Sequence, residues 1–104
     1  MNAKRLAQLR QFAEQDPNDP FPRYALALEY DAGTETARAA EMLEDLLAKF
    51  PRYVPAYQQL GTLYLKLERL PKARAVLQTG MIVARGEGDH HAAKEMEEAL
   101  EELE

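Results

Sequence analysis

A chain of 104 residues is one domain, long enough for a single core that withdraws roughly 65% of the unfolded surface from water. It holds no cysteine, so thiolate metal ligands, cysteine nucleophiles and disulfides are excluded and packing alone must hold the fold. No stretch approaches the ~20 apolar residues of a membrane span, and the charged start Met1-Asn2-Ala3-Lys4-Arg5 is no secretory signal; no membrane association and a cytoplasmic location are expected.

The net charge of −5 is unevenly spread. From Asp89 onward, seven acids (Asp89, Glu95, Glu97, Glu98, Glu101, Glu102, Glu104) face only Lys94, a net of −6, while residues 1–88 carry eleven acids and twelve bases, a net of +1. A near-neutral body with an acidic tail argues against nucleic acid as a partner, since that function needs a basic face.

Residues 2–15 follow a helical period, with Leu6, Leu9 and Ala13 on one stripe and Phe12 beside it. Asp16-Pro17-Asn18-Asp19-Pro20 stops that helix, because proline cannot continue it and Asp and Asn favour turns. Asp19 then caps a second helix with Pro20 at its first position, running to about Ala32 and burying Leu26, Ala27 and Tyr30. Gly33 is expected to end it and Thr34 to cap the next. Over residues 35–50, Ala39, Met42, Leu43, Leu46, Leu47 and Phe50 recur at helical spacing opposite Glu41, Glu44, Asp45 and Lys49.

Pro51 and Pro55 bracket a turn, and residues 54–67 are expected to bury Tyr57, Leu60, Gly61 and Tyr64. A tight connection at Glu68-Arg69-Leu70 leads to Pro71 in the first turn of the next helix, striped by Ala73, Val76, Leu77, Gly80, Met81 and Ala84. Gly86-Glu87-Gly88 ends it, and Asp89 caps a last helix with Ala92, Met96, Ala99, Leu100 and Leu103 inward. The pattern predicts about six helices and no strand: an all-α chain.

The skeleton repeats. Laying residues 54–87 on residues 20–53 puts Leu60 on Leu26, Gly61 on Ala27, Tyr64 on Tyr30, Ala73 on Ala39 and Leu77 on Leu43. A second shift of the same length lays Leu43 on Leu9 and Pro51 on Pro17. A fixed period of this size signals stacked helical hairpins.

Tyr57, Leu60-Gly61, Tyr64, Ala73, Leu77 and Gly80 resemble the tetratricopeptide repeat, with Leu70 in the inter-helix turn. The preceding unit resembles it through Leu26-Ala27, Tyr30, Ala39, Leu43 and Pro51. Arg23 stands where the first unit would keep its leading aromatic, Leu46 where it would keep a small residue, and Arg85 where the second unit would close on proline. The resemblance implies an α-α superhelix of antiparallel hairpins: a half repeat at 3–19, repeats at 20–53 and 54–87, and an acidic capping helix at 88–104.

It also implies a protein-interaction scaffold whose first helices line a concave groove for a segment of another protein. The groove residues carried over are Phe21, Tyr24, Leu28 and Asp31, then Gln58, Gln59, Thr62, Leu65 and Lys66. The family variety that clamps acidic C-terminal tails uses paired cations and Asn. Here Tyr24, Leu28, Gln58 and Thr62 occupy those places and only Lys66 is positive, so such tails fit poorly. The alternative is self-assembly into a homo-oligomer, or a place within a larger scaffold, through the first helix, with Leu6 and Phe12 at the contact.

Catalysis is not expected. His91 and Glu95 have the i, i+4 spacing of two metal ligands but no third, and read as solvated side chains at a helix start. Glu44-Asp45 and Glu101-Glu102 are adjacent and so diverge on a helix. Gly86-Glu87-Gly88 lacks the strand and glycine count of a phosphate loop. No cofactor and no metal are expected, and Lys4, Arg5, Arg10, Arg69, Lys72 and Arg74 read as solubilising charge.

Overall fold

The computed structural model describes residues 2–103; Met1 and Glu104, with the latter's share of the tail's acidity, lie outside the described residues. Among the described residues six helices follow one another: α1 Ala3–Gln15, α2 Pro20–Ala32, α3 Thr36–Lys49, α4 Val54–Lys66, α5 Leu70–Gly86 and α6 His90–Glu102. No strand occurs among the described residues. The chain forms two compact units, Met1–Phe50 and Pro51–Glu104. In the first, α1 packs on α2 and α2 on α3; in the second, α4 packs on α5 and α6 on both.

Each hairpin turn is built the same way. After α2, the Glu35 amide donates to the Tyr30 carbonyl at 2.9 Å and the Thr34 amide to the Asp31 carbonyl at 3.0 Å. After α4, Arg69 donates to Tyr64 at 2.9 Å and Glu68 to Leu65 at 3.1 Å. After α5, Asp89 donates to Ala84 at 2.8 Å and Gly88 to Arg85 at 3.1 Å. These nested six-to-one and five-to-two bonds are Schellman motifs, which satisfy the last carbonyls of a helix and require one left-handed residue. That residue is Thr34 (φ 67°), Glu68 (φ 58°) and Gly88 (φ 78°) in turn.

Gly33 ends α2 as expected, as its C-cap residue, and only the role expected of Thr34 is corrected. Gly33 keeps an ordinary φ of −84° and Glu35, not Thr34, is the N-cap residue of α3. The paired bonds place the left-handed residue one position beyond the glycine, so the cap falls one residue later. Asp19 and Asp89 do cap as expected: their carboxylates accept from the Phe21 amide at 3.0 Å and the Ala92 amide at 3.1 Å.

In the second unit, two glycines set the helix spacing. A Cβ on Gly61 would lie 2.6 Å from Leu77 Cδ2, and one on Gly80 would lie 2.5 Å from Tyr57 Cβ and 2.7 Å from Met96 Sδ. Gly80 therefore admits α4 and α6 to the same point of α5. Leu60, Leu63, Ala73, Leu77, Ala84 and Met96 are buried around these contacts. Leu63 was missing from the expected stripe because α4 buries a wider arc than a single stripe.

The first unit exchanges large for small at the matching positions. In the repeat register Arg23 corresponds to Tyr57, and Leu46 corresponds to Gly80. Leu46 is fully buried and borders, with Arg23, Leu26, Met42 and Asp45, a cleft of ≈ 160 Å³. The Arg23 guanidinium leans away to lie 5.9 Å from the Phe50 ring centre, with Lys49 Nζ at 5.5 Å. Met42, Leu47 and Phe50, expected in the stripe, are not fully buried, whereas Ala40 is.

Leu6 and Leu9 of α1 are buried, Arg5 donates to Glu29 Oε1, and Arg10 donates to the Tyr30 hydroxyl. Of the two residues expected at a self-pairing contact, Leu6 is thus consumed within the chain at 8% exposure, and only Phe12, 55% exposed, remains accessible.

Substitutions at the turns and at the glycines test these assignments. Thr34→Gly and Glu68→Gly each remove a side chain from a left-handed residue and are expected to raise unfolding free energy by up to about 1 kcal/mol, whereas Gly88→Ala lowers it by a similar amount. Denaturant titration checks the signs, and a loss of stability in both glycine variants would refute the turn assignment. Gly80→Ala meets the Cβ of a neighbouring residue and should cost about 1–3 kcal/mol; Gly61→Ala, which meets a rotatable leucine end, should cost less. Equal costs in thermal melts would contradict this reading of the contacts.

Candidate functional site

The first helix of each hairpin divides its surface between the core and a strip that reaches solvent. On α2, Pro22, Ala25, Leu26, Ala27 and Tyr30 are buried. Phe21 is 57% exposed, and Tyr24, Leu28 and Asp31 are half-buried, stepping by three, four and three residues along one side. Asp31 Oδ1 accepts from Thr36 Oγ1 at 2.8 Å, which ties the end of this strip to the start of α3.

On α4, Val54, Ala56, Tyr57, Leu60, Gly61, Leu63 and Tyr64 are buried. Gln58, Gln59 and Leu65 are half-buried, and Thr62 and Lys66 are exposed. Thr62 Oγ1 donates to the Gln58 carbonyl at 3.1 Å, so that hydroxyl is turned along its own helix. All nine residues expected to meet a partner thus reach the surface, four in one unit and five in the other.

A repeated ring contact escaped the sequence reading. The Arg38 guanidinium lies 4.9 Å from the Tyr30 ring centre, and Lys72 Nζ lies 5.6 Å from that of Tyr64. In the repeat register Arg38 corresponds to Lys72 as Tyr30 does to Tyr64, so the period carried the signal in its cations as well as its apolar residues. The contact covers the ring at the end of each first helix with a cation from the following helix.

The groups considered for catalysis stand apart from these strips. His91 Nε2 and Glu95 Oε1 pair at 2.8 Å on an exposed helix face, and no group of three potential metal ligands occurs among the described residues. Glu44, Glu101 and Glu102 are exposed. A cleft of ≈ 370 Å³ beside α6 is lined by Arg85, His90, Lys94 and three glutamates, with Arg85 and Glu97 paired at 3.3 Å in solvent. Several cations are engaged inside the chain: Arg5 with Glu29, Lys72 over Tyr64, and Arg74 Nη2 donating to the Leu103 carbonyl at 3.3 Å. No helix among the described residues is long and apolar enough to cross a membrane.

Comparison with known proteins places these hairpins in context. A family profile described as Tetratricopeptide repeat matches residues 32–96. The solution NMR structure of a tetratricopeptide repeat domain protein from Salinibacter ruber is similar at a TM-score of 0.81, with 39% identity over 86% of this chain and 90% of that one. A crystal structure of the tetratricopeptide repeat domain protein from the same organism gives 0.76, with 37% identity over 83% of this chain and 96% of that one. The solution structure of a Bordetella parapertussis protein aligns with 99% of this chain and 89% of its own at a TM-score of 0.80 and 24% identity, a likeness of fold alone. No curated protein sequence matches.

Tyr57 joins the loop before α4 to the helix itself. Its hydroxyl donates to the Pro51 carbonyl at 2.7 Å, and burial pushes its pKa above the ordinary phenol value; burial does the same at Tyr24. A raised folded pKa leaves stability intact below about pH 10, where both states are protonated, and removes it as pH rises further and the unfolded chain loses the proton first. The melting temperature should therefore fall above about pH 10, and fall less steeply in Tyr57→Phe. Parallel declines in the two proteins would contradict this assignment.

Proposed function

Since the chain belongs to the tetratricopeptide-repeat family, whose domains are protein-interaction scaffolds, we propose that it works by docking a segment of another protein on the faces of its first helices. The residues in contact are Phe21, Tyr24, Leu28 and Asp31 of α2, and Gln58, Gln59, Thr62, Leu65 and Lys66 of α4. One observation carries the reading: in both units the packing of the hairpin leaves this side of the first helix at the surface. The aromatic and apolar strip on α2 and the amide-rich strip on α4 each have the composition of an interaction surface, with rings as anchors on the one and amides to pair a main chain on the other.

The repeat boundaries that go with this reading are a half repeat at 3–19, full repeats at 20–53 and 54–87, and a cap at 88–104. Family domains of this kind are in general non-catalytic, and we read this chain the same way, without cofactor or metal and without nucleic acid as a partner. A cytoplasmic setting goes with that role. The preferred segment is not an acidic C-terminal tail, because Tyr24, Leu28, Gln58 and Thr62 supply no charge-assisted partners for a carboxylate.

The test is capture from the source organism's lysate by the native chain and by a variant carrying Tyr24→Ala, Leu28→Ser and Gln58→Ala, after circular dichroism and melting show the variant folded. A protein retained by the native chain and lost with the variant is the expected result. Equal capture by both would move the working surface elsewhere.

A further inference from the structure

Four large apolar residues are exposed among the described residues: Phe12, Phe21, Leu70 and Ile82. Two of them, Phe12 and Phe21, flank the same cleft of the first unit. It measures ≈ 370 Å³ and runs along α1 past Arg5, Leu9, Phe12 and Asp16 to Asp19, Phe21 and Pro22 at the start of α2. Leu9, Phe12, Phe21 and Pro22 give it an apolar lining, to which Asp16 and Asp19 add two carboxylates. Asp16 Oδ1 accepts from the Asn18 amide at 3.3 Å and Asp19 Oδ1 from the Phe21 amide at 3.0 Å. Neither carboxylate meets a cation among the described residues.

The second unit carries the complementary patch. Leu70, 48% exposed, opens α5 beside Pro71, and Arg69, Lys72 and Arg74 surround it in sequence. Arg69 is exposed and its guanidinium meets no acceptor among the described residues, while Lys72 and Arg74, also exposed, already lie over the Tyr64 ring and donate to the Leu103 carbonyl respectively. An exposed apolar side chain with three cations and the single acid Glu68 beside it in sequence thus matches an apolar cleft that bears two carboxylates and Arg5.

We propose that the cleft between α1 and α2 receives the Arg69–Arg74 turn of a second copy of this chain, with Leu70 seated between Phe12 and Phe21 and the cations facing Asp16 and Asp19. Burial of the three apolar side chains drives the contact, and the charges select its register. Each copy offers one cleft and one turn, and the cleft of one copy takes the turn of another. The proposal shares Phe21 with the groove reading, but the residues varied in its test, Phe12, Asp16, Arg69 and Lys72, lie outside the nine groove residues, so the two fail separately.

The charges can be reversed in keeping with the helix dipoles, and because Lys72→Glu takes the cation off the Tyr64 ring, circular dichroism and melting first show each variant folded. Asp16→Lys puts a cation just past the C-terminus of α1, and Arg69→Glu with Lys72→Glu puts anions at the N-terminus of α5, both favoured by the helix dipole. Phe12→Ser removes an exposed ring and leaves the core untouched. Sedimentation equilibrium of the native chain at low salt should show an average mass that rises with concentration. Phe12→Ser should stay at monomer mass, and Asp16→Lys alone or Arg69→Glu/Lys72→Glu alone should weaken association about tenfold or more.

An equimolar mixture of the two charge variants should recover association, because one contributes a basic cleft and the other an acidic turn. A native chain that stays monomeric throughout would overturn the proposal. So would association that survives Phe12→Ser, or a mixture no stronger than its components.

Discussion

The second unit depends on how closely three helices meet at Gly80. Tyr57 of α4 and Met96 of α6 both come within the space that a single added methyl would fill, and Gly61 gives Leu77 the same access to α4. Dispersion falls steeply with separation, so this closeness is what lets short helices of 13 and 17 residues hold together without a disulfide. α6 is fixed through that point as well, with Ala92, Ala93 and Met96 inward and the acidic side chains outward, the form a capping helix needs. The first unit reaches the same end by another division of volume, filling with Leu46 the place that Gly80 leaves small and bending Arg23 aside to Phe50.

The turns make the packing repeatable. Schellman motifs after α2, α4 and α5 return the chain in the same way, so that α3, α5 and α6 each begin just after a left-handed residue. Glycine takes that position once, at Gly88; Thr34 and Glu68 hold it under mild strain that the surrounding hydrogen bonds maintain. Because both hairpins are closed in the same way, each presents the same side of its first helix to solvent. The position of the candidate interaction strips thus follows from the backbone hydrogen bonds of the turns and from the small residues of the core.

Much of this was legible in the sequence. The repeat period, the proline and aspartate stops, and the apolar spacing located the helices and their order to within a residue or two, and Gly61 stood out as a close-approach position. Other features were hidden for physical reasons. The left-handed conformation of Thr34 and Glu68 left no mark because neither is a residue that favours it. Leu63 escaped because a helix enclosed on more than one side buries an arc broader than an amphipathic stripe. Leu6 was read as available for a partner, yet α1 spends it on α2. The strips themselves were legible only as what the core does not use, and a partner's chemistry is written in the partner's sequence.

If the α4–α5 contact at the two glycines holds the second unit, with α6 added upon it, native-state hydrogen exchange of the whole chain will show it most directly. The amides of Leu60–Tyr64 and Leu77–Met81 should then be the slowest of the second unit, opening only with global unfolding, while those of α6 exchange sooner through a smaller opening. Slowest exchange in α6, or protection in α4 and α5 no greater than in α6, would contradict it.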